Sequence, residues 1–168
     1  MALTGDVIFK LTATYTSAKD LSTVTDPFAI SNTIALSSGT GANQADLLFH
    51  DTRTIAASGT DDLDLAGSLT DSLGATLTFV KVKTIYVSAA SGNTNSVVVG
   101  GAASNQFVAW VGDATDKVNI LPGGAFMLCA PSAAGYAVAA GSTDVLRIAN
   151  SSSGTSVTYN IAIEGTSA

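Results

Sequence analysis

Apolar residues return at every second position along most of this chain, and almost nowhere at helical spacing. Val7, Phe9, Leu11, Ala13 and Tyr15 alternate with Ile8, Lys10, Thr12 and Thr14. Phe28, Ile30, Ile34 and Leu36 share one phase, and Leu63 and Leu65 alternate with Asp62 and Asp64. Val157, Tyr159, Ile161 and Ile163 alternate with Thr158, Asn160, Ala162 and Glu164. A period of two places one face of a strand on a core and leaves the other wetter, as in an antiparallel sheet. Turn signals such as Ser37-Ser38-Gly39, Ala57-Ser58-Gly59, Ser91-Gly92-Asn93, Gly123-Gly124 and Ser151 to Gly154 punctuate the chain. Their spacing of about 8–12 residues is that of a sandwich or barrel. The best helical candidate, Gly67 to Leu73, is too short to shape the fold.

The expected strands are 6–15, 28–36, 46–55, 61–66, 75–88, 95–100, 106–111, 117–121, 124–129, 135–139, 144–150 and 156–164. In Leu77–Val87 the apolar phase changes twice. Leu77 and Phe79 share a phase, Val80 and Val82 take the other, and Ile85 and Val87 return to the first. A slip of one residue turns side chains to the opposite face. Irregularities near Phe79–Val80 and near Lys83–Thr84 reconcile the pattern. Bent strands of this kind fit an all-β, antiparallel β-sandwich of jelly-roll type. The 168 residues amount to one domain, or one domain with an arm. Residues 1–45, rich in Thr and interrupted by Asp26-Pro27, are either an arm or the first strands of the same sandwich. Residues 46–168 form the sandwich proper, and one continuous domain 1–168 remains open.

Composition narrows the function. Seven Lys plus Arg against thirteen Asp plus Glu give a net charge of −6. Such a chain has little with which to neutralise a phosphate backbone, so nucleic acid is not expected as a direct partner. Residues 84–112 carry no formal charge, but they hold too many Ser and Asn for a span of about 20 predominantly apolar residues. The N-terminus lacks the basic and apolar regions of a signal peptide. A soluble protein made in a cytoplasm, with no membrane partner, is therefore expected.

Candidate chemistry is sparse. His50 is the only histidine, and in a strand it points away from its neighbour Asp51. Asp51 and Arg53 then share a face and can pair. Asp61, Asp62 and Asp64 form the densest acidic cluster, but without the Gly and Glu of a Ca²⁺ loop. A weak Ca²⁺ site there is left open, and Asp113 with Asp116 is read as a solvated turn. One His and one Cys exclude a zinc centre of ordinary composition. Cys129 lies in an apolar run and reads as a small buried hydrophobe. Asn150-Ser151-Ser152 fits a glycosylation sequon. Phe107, Trp110, Tyr86 and Tyr136 could stack on a sugar, although 107–111 reads better as a buried strand. No catalytic, cofactor-binding or metal-binding residue is assigned, no cofactor is expected, and the expected role is not enzymatic.

Several segments resemble small virion structural proteins of tailed bacteriophages. They are His50-Asp51-Thr52-Arg53-Thr54-Ile55, Asp62-Leu63-Asp64-Leu65-Ala66-Gly67 and Leu73-Gly74-Ala75-Thr76-Leu77-Thr78-Phe79. Gly92-Asn93-Thr94-Asn95, Val98-Val99-Gly100, Pro122-Gly123-Gly124 and the ending from Ser156 to Gly165 share the likeness. It spans roughly residues 44–168. The resemblance implies a virion component, and no catalytic residues come with it. Of two virion roles, a capsid cement or decoration protein fits a single small domain better than a fibre or adhesin module binding host-surface carbohydrate, because no repeating shaft is visible. The expected partners are the major capsid protein and further copies of the chain, as a homotrimer on the outer surface of the head. A strand from 6–15 or 28–36 is expected to add to a neighbour's sheet edge.

Overall fold

The computed structural model describes residues 2–168. These residues form fourteen strands and no helix. In chain order they are β1 (Gly5–Ala18), β2 (Thr23–Ser38), β3 (Gln44–Ala45), β4 (Leu47–Ile55), β5 (Thr60–Asp64), β6 (Leu69–Thr70) and β7 (Thr76–Leu77). β8 (Lys81–Ala89), β9 (Val97–Val99), β10 (Val118–Ile120), β11 (Ala125–Cys129), β12 (Tyr136–Ala137), β13 (Val145–Asn150) and β14 (Val157–Thr166) follow.

Two four-stranded antiparallel layers make a β-sandwich. One runs β4-β14-β8-β11, with the short β12 also pairing β8, and the other runs β5-β13-β9-β10. The chain crosses between the layers at each link of β4, β5, β8 and β9, and again at β10 to β11, β11 to β13 and β13 to β14. Alternation explains why the layers stack. In β14, Val157, Tyr159, Ile161 and Ile163 are all buried, while the residues between them face outward. Ile85 and Val87 of β8 join them from the same layer, and Leu63, Val97, Val99, Leu146 and Ile148 meet them from the other. Leu69 and Leu77, from the β6–β7 hairpin, are buried in this same core.

Both irregularities expected in 75–88 occur. The strand breaks after Leu77, leaving Phe79 buried and Val80 partly exposed, and β8 begins at Lys81. A second shift lies where Glu164 pairs Thr84 but Gly165 pairs Val82, so Lys83 is the extra residue of a bulge. Segment 106–111 is not the expected strand. Gln106 makes one isolated bridge to Val145, and then the chain turns. The amide of Val111 donates to the Val108 carbonyl and the Trp110 indole N–H to the Phe107 carbonyl, at 3.1 and 2.9 Å. These local bonds take the groups that a ladder would need. Segment 135–139 shrinks to the two residues of β12, and 95–100 to the three of β9.

The first two strands are longer than expected and stand apart from the sandwich. β1 and β2 pair antiparallel over fourteen residue pairs, from Gly5–Leu36 to Ala18–Thr23. A two-residue parallel contact of β2 with β3 ties the ribbon's base to the body. Directly paired residues share a face. Val7–Ile34, Phe9–Asn32, Leu11–Ile30, Ala13–Phe28, Tyr15–Asp26 and Ser17–Val24 therefore line one side of the ribbon. At the base this side is covered. Val7, Leu36 and Ala45 are buried there, with Leu3, Phe9, Ile34, Met127 and Cys129 packed around them. Further out the same side is bare: Leu11, Tyr15, Val24, Phe28 and Ile30 are each more than half exposed.

Candidate functional site

The charged groups singled out in the sequence are absorbed into structural pairs. In β4, His50 lies opposite Ala162 and Asp51 opposite Ile161, so the two neighbours face opposite sides. The Arg53 Nε donates to Asp51 at 2.9 Å, the pairing expected from their shared face. Arg53 also donates to both oxygens of Asp61 at 3.1 Å and lies over the Phe49 ring, 5.4 Å from its centre. The fully buried Tyr159 completes the group, its hydroxyl donating to Asp61 at 2.7 Å. Burial first, and then its bond to the Asp61 carboxylate, push the Tyr159 phenol far above its usual range, so it remains a donor. Because β4 and β5 belong to different layers, these side chains clamp one open edge of the sandwich.

The acidic cluster disperses. Asp61 faces the clamp, while Asp62 faces the opposite side and takes two bonds from Arg147 at 2.6 and 2.7 Å. Those bonds hold its carboxyl below the ordinary range against a smaller opposing effect of burial. Asp64 accepts the Ala66 amide at 2.8 Å in the turn after β5. Among the described residues no group of three or more His, Cys, Asp and Glu converges as metal ligands would. Asp113 and Asp116 serve one turn, accepting backbone amides of Gly112, Asp113 and Thr115.

The four aromatics do not share a surface. Phe107 is buried in the core, and Trp110 packs on Phe126 with ring centres 5.6 Å apart. Tyr86 lies on the outer face of β8, opposite Met127, and Tyr136 on the short β12. The sequon asparagine is buried as well. The Asn150 amide donates to the Ala56 and Thr155 carbonyls at 3.1 and 2.8 Å, and its oxygen accepts from Asn95 at 2.9 Å. Cys129 is half-buried, and burial raises its thiol above the usual range, which keeps it protonated.

Two features went unread in the sequence. Lys83, the bulge residue, is fully buried, and its ammonium donates to the Gly41 carbonyl at 3.2 Å and to the Ser132 carbonyl. It pins two loops that nothing in Lys81-Val82-Lys83 connects. The other feature is the outer face of the layer β4-β14-β8-β11. Across its middle, Thr54 meets Thr158 at 3.0 Å, Thr52 donates to Asn160 at 2.7 Å, and Asn160 reaches Ser88 at 3.4 Å. This face is uncharged along Tyr86, Ser88, Asn160 and Ala162, and much of its hydrogen bonding is already satisfied. A hollow of about 480 Å³ opens beside His50, Tyr86 and Ala162. Another, of about 430 Å³, lies between Leu11 and Ile30 of the ribbon and Tyr86, Ala125 and Met127 of the sheet. The surface with most to offer a partner is thus the bare ribbon side together with this quiet sheet face. Comparison with family models, curated proteins and solved structures finds no match to this chain.

Proposed function

We propose that the chain is a non-enzymatic structural subunit of a bacteriophage virion, a cement or decoration protein that binds the outer surface of the head. Its partners are the major capsid protein and its own copies, as a closed trimer. The observation that carries this reading is the ribbon, whose apolar side is covered at the base and bare beyond Leu11 and Ile30. A contiguous apolar strip of this kind marks an interaction surface. Two further features support it. The two four-stranded layers, with the chain passing repeatedly between them, support a jelly-roll reading, an architecture used in capsids and lectins alike. The strip of the sheet face along Tyr86, Ser88, Asn160 and Ala162 carries no charge, so covering it costs little desolvation. The sequence resemblance to phage virion proteins supports a virion among such assemblies.

Mechanically the role is passive. Each copy hides apolar surface, worth roughly 25 cal/mol per Å², and symmetry repeats the contact around the particle. Purified protein added to shells that lack it should bind in many copies on the head and raise their resistance to heat. Failure to bind, with shells equally robust in its absence, overturns the reading. Few copies per particle together with glycan binding by the isolated protein would assign it to a fibre instead.

A further inference from the structure

We infer that the distal ribbon of each copy lies on the outer sheet face of another copy, so that the assembly is held by exchanged ribbons. This deepens the proposed role and rests on it for the choice of a second copy as partner. The donor surface is the apolar side at Leu11–Ile30, Ala13–Phe28 and Ser17–Val24. The acceptor is the face formed by Tyr86, Ser88, Asn160 and Ala162.

Three observations favour this occupant. The first is continuity, because within one chain the base of the same ribbon side already packs on Met127 and Cys129, which belong to the outer face of β11. Leu11 and Ile30 face Tyr86, Ala125 and Met127 of their own sheet only across a hollow, and past them the exposed side at Tyr15, Phe28 and Val24 meets this kind of surface only on another copy. The second is charge. On the donor side Asp26, paired with Tyr15, is the only charged residue beyond the base. The acceptor strip has none, so Asp26, near the ribbon's tip, is the one ion the contact must leave at its solvated rim.

The third is area. About eight residues of two-stranded ribbon, rising ~3.4 Å each and some 12 Å wide, present roughly 320 Å². Two ribbons laid apolar side to apolar side would hide only that much on each copy. Giving one ribbon and receiving another hides about 650 Å² per copy, in one contact for a reciprocal pair and divided between two in a head-to-tail ring, against the roughly 800 Å² per partner of a stable interface. Repeated head to tail about a three-fold axis, the exchange closes into the proposed trimer.

The test uses the full chain. Light scattering on the wild type should give a multiple of the 16.8 kDa chain mass. The triple change Leu11→Ser, Phe28→Ser, Ile30→Ser should give the single-chain mass with an unchanged far-ultraviolet spectrum. Ile8→Ser, on the ribbon's other side, should leave the oligomer intact. Ala162→Arg, on the acceptor face, should dissociate it as the triple change does. A wild type that is monomeric up to its solubility limit overturns the inference, even if that monomer binds shells and so upholds the virion role. An oligomer that survives Ala162→Arg but not the ribbon changes also overturns it, because ribbons would then meet each other. An oligomer obeying both changes, in a protein that never binds shells, upholds exchange and removes the virion role.

Discussion

Gly165 shows how little room a single residue can have. It sits beside the register shift of β14 against β8. A Cβ there would lie 2.6 Å from Cδ1 of the buried Phe79 ring and would collide with the Lys81 carbonyl oxygen. Its φ is not in the left-handed region, so the constraint is close approach and not backbone strain. Gly165→Ala should destabilise the protein by about 1–3 kcal/mol in chemical denaturation, as overpacked cores do. A loss under a few tenths would mean that the bulge yields freely. The Asp62 carboxyl makes a gentler prediction. Hydrogen bonds from Arg147 lower its pKa on folding, so it stabilises the fold above the ordinary carboxylate range. That contribution disappears as pH falls through the depressed value. Its side chain is 42% exposed, so the effect should stay under about 1 kcal/mol. The stability difference between wild type and Asp62→Asn should be visible at neutral pH and fade as the pH drops below the ordinary carboxylate range. A difference that grows in acid would contradict the assignment. The Asp51–Arg53 pair was legible in the sequence because two strand residues of one phase must share a face. The partnership of Asp61 with Tyr159 was not, because those residues lie 98 positions apart.

Elements depend on such distant partners wherever a loop must be held. The turn after β13 is organised by Asn150 and Asn95, which together bind the carbonyls of Ala56, Ser152, Ser153 and Thr155. Asn150→Ala should remove its two donated bonds and the oxygen that accepts from Asn95 and from the Ser152 amide, and cost about 1–3 kcal/mol, read from the midpoint of urea unfolding. Asn150→Asp should be no milder, because the lost amide donated two of the bonds. The strands themselves were mostly visible, since alternation in β4, β13 and β14 has a single cause, one face on the core. Segment 106–111 misled for a physical reason. Phe107 is buried and apolar like a strand residue, yet the backbone around Trp110 closes on itself by local hydrogen bonds. The β1–β2 ribbon misled in the opposite sense. Its alternation is clear, but most of the side that alternation marks as inward is exposed.

For the whole molecule, the large core contains no residue of the ribbon, whose base belongs to the smaller cluster around Val7, Leu36 and Ala45. Replacing residues 11–30 by a short turn should therefore leave the thermal midpoint of the sandwich within a few degrees, corresponding to under about 1 kcal/mol. Self-association should be lost together with the ribbon. A chain that unfolds on this deletion would show the ribbon to be part of the fold and not an appendage. The sequence by itself determined the all-β character, the positions of most strands and the two irregularities before and within β8. These follow from local physics, the two-residue period of a pleat and the cost of turning an apolar side chain outward. It also determined what the chain lacks the residues to build, a zinc centre of ordinary composition. Only the tertiary structure decided where the aspartates go, which aromatics are spent in the core, why Lys83 is buried, and that an apolar ribbon side runs past the edge of its own support. Each of those depends on which strands become neighbours across long stretches of chain, and an alternating pattern carries the face of a residue but not the identity of what covers it.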